Sequence, residues 1–324
     1  MFDIITFGSA TQDLILKPKQ VTALHYEKSA TQKEVCFPLG SKVDIEDIIF
    51  NSGGGGTNTS ATFALQGFKT AFCGTVGLDV SGQEIINELK RFKIYTGLIK
   101  KTNQKRTNHS VVILNSGQDR TILTYRGASE LMDKKDIPFK KLKTKWLYLA
   151  PLSGVLCDNF EALVNFAYDQ KIKIAVNPGI AQLSLQNFSD IVKKIDVLIL
   201  NQEEASFLTK IPYEQEKEIF TKIDQMHPGV TVMTKGGEGV VVSDGKYIFE
   251  AVPPADRKIV DTTGAGDSFG SGFVSEFIKT QDVVASIQLG MANSVGCLSE
   301  IGAKNGLLKK GQEFLRVDVK KEFI

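Results

Sequence analysis

Five short apolar runs punctuate this chain: DIITFG (3–8), TAFCGTV (70–76), WLYLA (146–150), IKIAVNPG (172–179) and DVLILN (196–201), each followed by turn residues. A strand with one wet face alternates apolar and polar residues. Runs without alternation suit strands covered on both faces, as in a parallel sheet. Parallel strands need crossovers, and segments of helical period lie between and after the runs: TNTSATFALQGF, SGQEIINELKRF, NFEALVNFAYDQ, FGSGFVSEFIKT and DVVASIQLGMANSVGCL. This alternation predicts a doubly wound α/β sheet. With 324 residues, 42% hydrophobic and 23% charged, the chain has material for such a core, and disorder or a fibrous repeat is excluded.

Two stretches break the rhythm. Residues 14–50 lack a helical pattern but contain the strand-like KEVCF and VDIEDIIF. Residues 105–126 read as a hairpin, two apolar strands around Asn-Ser-Gly-Gln-Asp. Together they predict a small β-sheet standing off the α/β body as a lid, the alternative being an extension of the main sheet at its edge.

Lys+Arg is 39 and Asp+Glu is 37, a net charge of +2, so a broad basic face for nucleic acid is not implied. No apolar run approaches the ~18 residues of a membrane span. The N-terminus reads as a first strand, not a signal peptide. Cys36, Cys73, Cys157 and Cys297 form no Cys-x-x-Cys pair, which argues against a zinc or redox motif and fits a reducing cytoplasm.

The strongest local signal is DTTGAGDSFGSGF (261–273). A strand-like KIVDTT gives way to Gly264-Ala265-Gly266, then Asp267, then a helix. Small residues admit a ligand to the backbone, and the first-turn N–H groups of a helix form a seat for phosphate. An acid beside that seat is electrostatically costly. Proton abstraction from an attacking hydroxyl is one reason for it, and complementing the helix dipole is another. Neither Gly264 nor Gly266 is expected to have room for a Cβ. The second signal is NSGGGGTNTSATFALQGF (51–68), where four glycines run into a helix with Asn58 on its first turn. Close approach to a small ligand and a simple turn both fit.

Weaker features follow. Asp13 suits a polyol or a turn cap. Asn201 and Glu204 suit a metal-bound water or an ordinary helix cap. TKGGEGVVV (234–242) suits a nucleotide-site wall or a hairpin. Arg126 suits an anionic group or any carboxylate partner. No G-x-x-x-x-G-K-[ST], His-Arg-Asp or Asp-Phe-Gly occurs, and no G-x-G-x-x-G follows the first strand, which disfavours P-loop, protein-kinase and nicotinamide-binding readings.

In combination these residues resemble the PfkB, or ribokinase-like, carbohydrate kinase family. Gly53-Gly54-x-x-x-Asn58 with GTVGLDVSG (74–82) resembles one family signature, and Asp261-Thr-Thr-Gly-Ala-Gly-Asp267 resembles the other. Asn201-Gln-Glu-Glu204 resembles N-x-x-E, and TKGGEG resembles T-x-G-x-x-G. The resemblance runs along nearly the whole chain and implies one ribokinase-like domain over 1–324. Its central, mostly parallel sheet would be flanked by helices, with a small β-sheet lid from about 14–50 and 105–126. It implies Asp267 as catalytic base and Gly264, Ala265 and Gly266 as anion hole. Asp13, Gly53, Gly54 and Asn58 would bind the acceptor, with Arg126 a weaker candidate. Asn201 and Glu204 would organise Mg²⁺ through water. Asn201, Thr234, Gly236 and Gly239 would line the ATP site, with Asn293 near the adenine. Asp261, Thr263 and the backbone at Gly302 would hold a monovalent cation such as K⁺.

The resemblance thus implies a cytoplasmic ATP-dependent sugar kinase, with a nucleoside kinase as the near alternative and a catalytically inactive sugar-binding relative as the distant one. Small-molecule sugar and ATP are the partners, with no nucleic acid and no membrane. A homodimer through the lid stays open. Two departures concern the acceptor: the span between Asp13 and Gly53 is long, and WLYLAPLSG carries no acid where ribokinase holds ribose with a glutamate.

Overall fold

The computed structural model describes residues 1–19, 22–25, 33–114 and 120–323. Its main sheet has nine strands. In spatial order they are Val319–Phe323, Tyr247–Ala251, Val240–Ser243, Val230–Thr234, Val197–Asn201, Lys173–Val176, Thr144–Leu149, Phe2–Phe7 and Thr70–Cys73. The six from Val230–Thr234 to Thr70–Cys73 are parallel, and the other three add antiparallel at one edge.

The unbroken apolar runs are explained by burial on both faces. Within the strand Thr144–Leu149, Leu147 and Leu149 join one core cluster while Trp146 and Tyr148 join the other. Leu198 and Leu200 divide from Val197 and Ile199 in the same way. One face is covered by the helices Phe160–Asp169 and Glu216–Met226, through Leu163, Val164, Ile219 and Ile223. The other is covered by Gly55–Leu65, Ala265–Thr280 and Val283–Leu298, through Phe63, Phe269, Phe273 and Ile287. Each such side chain contributes roughly 1.5–3 kcal/mol on burial.

The lid sheet is separate from the main sheet. Its order is Arg120–Tyr125, Asn108–Leu114, Thr11–Pro18, Ile45–Gly53, with one parallel pair between Asn108–Leu114 and Thr11–Pro18. The strand Thr11–Pro18 corrects one reading: Asp13 lies within a strand and caps no turn. KEVCF contributes Lys33–Cys36 to an antiparallel pair with Thr22–His25, outside the lid sheet. The residues read as the hairpin turn, 115–119, lie outside the described residues, as does Tyr26.

KIVDTT forms no strand. Its backbone is spent elsewhere, since the N–H groups of Val260 and Asp261 donate to the Leu298 carbonyl at the end of the last long helix. TAFCGTV splits at Gly74, where a side chain would strike the Phe72 ring. Its second part, Thr75–Gly77, pairs with Lys100–Thr102. Among the described residues no helix is long and apolar enough to cross a membrane.

His227 is buried between the helix Glu216–Met226 and the strand Val230–Thr234. Its Nε2 lies 3.1 Å from the Ile195 carbonyl and its Nδ1 2.9 Å from Thr231 Oγ1. A carbonyl only accepts, so Nε2 carries the hydrogen, and Nδ1 accepts from the threonine. Burial pushes its pKa from the ordinary 6.5 down to about 4. Between those values the unfolded chain binds the extra proton, so stability is full above pH 6.5 and is lost as pH falls towards 4, by up to roughly 3 kcal/mol. Urea denaturation at pH 7 and pH 5 checks this. His227→Gln is expected to flatten the difference, and an unchanged difference would assign it to other groups.

Candidate active site

The site forms at the carboxyl ends of the parallel strands, where open α/β sheets bind ligands. The first strand ends at Phe7, and the glycine run comes back against it. A Cβ on Gly8 would lie 2.7 Å from the Gly56 nitrogen, so this contact is backbone to backbone. The helix Gly55–Leu65 begins inside the run, which puts Asn58 at its fourth residue. Gly54 precedes the helix at φ +96°, a conformation that side chains resist.

Two acids lie against this run. Asp13 comes from the lid-sheet strand Thr11–Pro18, and a Cβ on Gly53 would fall 2.1 Å from its Oδ2. Asp267 comes from the first turn of Ala265–Thr280, and a Cβ on Gly55 would fall 3.3 Å from its Oδ1. Asn58 Nδ2 donates to Asp267 Oδ2 at 2.8 Å, while Asn58 Oδ1 is buried and has no partner among the described residues. Burial pushes the Asp13 carboxyl up to about 6, against the hydrogen bond from Ser110 and the charge of Lys304. Burial also raises Asp267, against the Asn58 amide and Lys304. An enclosed carboxyl of raised proton affinity beside a ligand cavity has the properties of a general base.

Behind Asp267 the helix starts at Gly264, φ +79°, with no side-chain cap. Its first-turn residues Ala265 and Gly266 face a cavity of about 570 Å³. The cavity is also lined by Asn201, Thr234, Gly236, Gly239, Arg257 and Met291. The predicted nucleotide-site glycines and the predicted anion-hole residues are therefore neighbours. The two glycines of the hole differ, however. A Cβ on Gly264 would strike Ala303 at 2.4 Å, whereas one on Gly266 would meet open space. Packing constrains Gly264, whereas nothing in the protein crowds Gly266, so the expectation that both lack room for a Cβ holds only at Gly264. TKGGEG is both a hairpin and a wall of this cavity.

Asn201 and Glu204 form a capping box. Asn201 Oδ1 accepts from the Glu204 N–H at 2.8 Å, and Glu204 Oε2 accepts from the Asn201 N–H at 2.9 Å. Asp261 gathers its loop, its Oδ1 accepting from Thr263 N and Oγ1 and its Oδ2 from Gly302 N at 2.9 Å. Arg126 is exposed at the end of the lid strand. Asn293 does not reach the cavity. It is fully buried, donates to Ser268 O and Thr62 Oγ1, and accepts from Leu308 N; its helix faces the cavity with Met291, Ser294, Val295 and Leu298 instead.

Sequence reasoning missed Lys304 and Asn51. Lys304 is buried beside both acids, and Asn51 Nδ2 is buried without a partner among the described residues. The available signal for Lys304 was the one basic residue inside SEIGAKNG, a segment otherwise read only for Gly302.

The pfkB family carbohydrate kinase model matches residues 1–310. A ribokinase of Lactococcus lactis is 25% identical, with 95% of each chain covered. A cytidine kinase of Thermococcus kodakarensis is 23% identical over 82% of this chain and 92% of its own. The structure of Arabidopsis thaliana ribokinase complexed with ribose and ATP superposes with a TM-score of 0.78 at 20% identity, over 95% of this chain and 96% of that one.

Proposed function

The chain belongs to the pfkB family of carbohydrate kinases, and on that premise we propose that it transfers the γ-phosphoryl group of ATP to a hydroxyl of a small neutral sugar, with Asp267 as general base. The observation that carries this is the position of Asp267. It is hydrogen-bonded to Asn58 of the glycine-run helix on one side and stands beside the uncapped helix start of the 570 Å³ cavity on the other.

In this reading ATP occupies the cavity between Thr234, Gly236, Gly239 and the helix Ala265–Thr280. Asp267 takes the proton of the acceptor hydroxyl as that oxygen bonds to the γ-phosphorus. The bond to the β–γ bridging oxygen breaks and ADP leaves. The N–H groups at Gly264, Ala265 and Gly266, at the positive end of the helix, stabilise the charge on the transferring group. Mg²⁺ on the phosphates supplies charge neutralisation when bound. No group of three or more His, Cys, Asp or Glu among the described residues forms a cage for it. Asn201 and Glu204 fit a contact through water, in which Glu204 offers the carboxylate oxygen that its cap leaves free. A monovalent cation, if used, would rest on backbone carbonyls of the loop that Asp261, Thr263 and Gly302 close.

The polar inventory supports a sugar over a nucleoside. Asp13 offers a carboxylate, Asn58 an unpartnered carbonyl oxygen and Asn51 an unpartnered amide N–H, a set suited to hydroxyls. A base needs an apolar slot. Phe50 and Tyr125 of the lid sheet do not supply one, because they pair across from Leu14 and His109 and so point away from the Asp13 face.

That outer face carries Ile48, Phe50, Leu123 and Tyr125, with Phe50 67% exposed. This apolar row supports a homodimer through the lid. Sedimentation is expected to show dimers that Phe50→Lys converts to monomers; a monomeric wild-type protein would contradict it.

The function itself is tested by a screen of sugars and nucleosides with ATP, Mg²⁺ and K⁺. A neutral sugar is expected to give the highest kcat/KM. Its KM should rise as pH falls through about 6, where Asp13 gains a proton, and Asp13→Asn should remove that rise. A nucleoside better than every sugar by about tenfold would overturn the acceptor choice. No transfer to any acceptor would overturn the kinase reading.

A further inference from the structure

We propose that Lys304 is a positioning residue for phosphoryl transfer, coupling the lid strand to the loop that receives the phosphoryl group; this rests on the kinase reading above. Its side chain is 4% exposed. An ammonium has three protons to donate, and Lys304 has three acceptors for them: the Ser52 carbonyl at 2.9 Å, Ser52 Oγ, and Glu88 at 3.3 Å. Ser52 belongs to the lid strand Ile45–Gly53, and Glu88 to the helix Val80–Arg91. With all three donors committed to protein, Lys304 has none left for a substrate.

The neighbouring residues extend the junction. Gly302 donates its N–H to Asp261, and a Cβ there would lie 2.6 Å from Asn51 Nδ2. Ala303 is the residue against which Gly264 is packed, at 2.4 Å from a hypothetical Cβ. Three consecutive residues, Gly302 to Lys304, thus touch the lid strand at Asn51 and Ser52 and the phosphoryl loop at Asp261 and Gly264. Ser52 also precedes Gly53, the glycine against which Asp13 lies. A shift of the lid strand must therefore move this segment, and the segment must move the helix start.

The charge has a second effect. Asp13 from the strand Thr11–Pro18, Asp267 from Ala265–Thr280 and Glu88 from Val80–Arg91 all act on Lys304, and Asp261 acts on Asp13. Tyr148 and Cys297, which also feel Asp267, are raised by burial and stay neutral. Burial pushes Lys304 itself down, while Glu88, Asp13 and Asp267 oppose that. One buried cation serves several carboxylates, and without it Asp13 and Asp267 would both hold their protons to higher pH.

The test uses Lys304→Met, Lys304→Arg and the double variant Glu88→Gln/Lys304→Met, which avoids leaving Glu88 as an uncompensated charge. In the whole protein, kcat/KM for the best acceptor is measured against pH, and ATP affinity is measured separately by titration. Both methionine variants are expected to shift the acidic limb upward by about one pH unit and to lower kcat by roughly tenfold to a hundredfold, with ATP affinity changed by less than about threefold. Lys304→Arg should keep the limb near its wild-type position. Carboxyl ¹³C titration of the protein without ligands should give the same upward shift, independently of turnover. An acidic limb and carboxyl titrations unchanged in the double variant would overturn the assignment while leaving the kinase reading intact. A wild-type protein without transfer activity would overturn the kinase reading, and the carboxyl titration would still decide the electrostatic role of Lys304.

Discussion

Two carboxyl groups are held against bare glycine backbone at the ends of the parallel strands, and much of the site's architecture follows from that contact. Asp13 rests where Gly53 has no side chain, and Asp267 rests close to Gly55. The same run abuts Gly8 just past the first strand, so the backbone against which the acids lie is itself packed on the central sheet. Any Cβ at Gly53 would displace the Asp13 carboxyl. Four adjacent glycines are costly in chain entropy, and this packing gives a physical reason for them.

Burial of these acids has a consequence in both directions. Desolvation raises both carboxyls, which suits proton transfer near neutral pH, but an unpaired buried charge would be far too costly. The structure answers with the Asn58 amide on Asp267, Ser110 beside Asp13 and the single ammonium of Lys304 near both. Because that ammonium is also tied to Ser52 and Glu88, electrostatics and lid position are the same piece of chemistry.

The parts legible in the sequence were those with a local cause. The apolar runs gave the doubly covered parallel sheet because the lack of alternation is itself a statement about two buried faces. The family resemblance is borne out; of the motif residues, Thr234 and Gly266 line one cavity, and Asn58 is hydrogen-bonded to Asp267, the residue after Gly266. What escaped was set by distant partners. KIVDTT has strand composition, but its N–H groups are taken by Leu298. Asn293 lies one residue from the helix positions that face the cavity, a shift that no periodicity of a helix buried on nearly all sides resolves. Lys304 pairs with Ser52 across 252 residues of sequence, a contact that leaves no local trace.

The central claim is that Asp267 removes the acceptor proton, and Asp267→Asn measures it most directly. Asparagine keeps the shape and the hydrogen bond to Asn58 but cannot take a proton. The account predicts a folded protein with ATP affinity close to wild type and kcat lower by roughly 10²- to 10⁴-fold. Turnover within about threefold of wild type would contradict it and return Asp267 to a complement of the helix dipole.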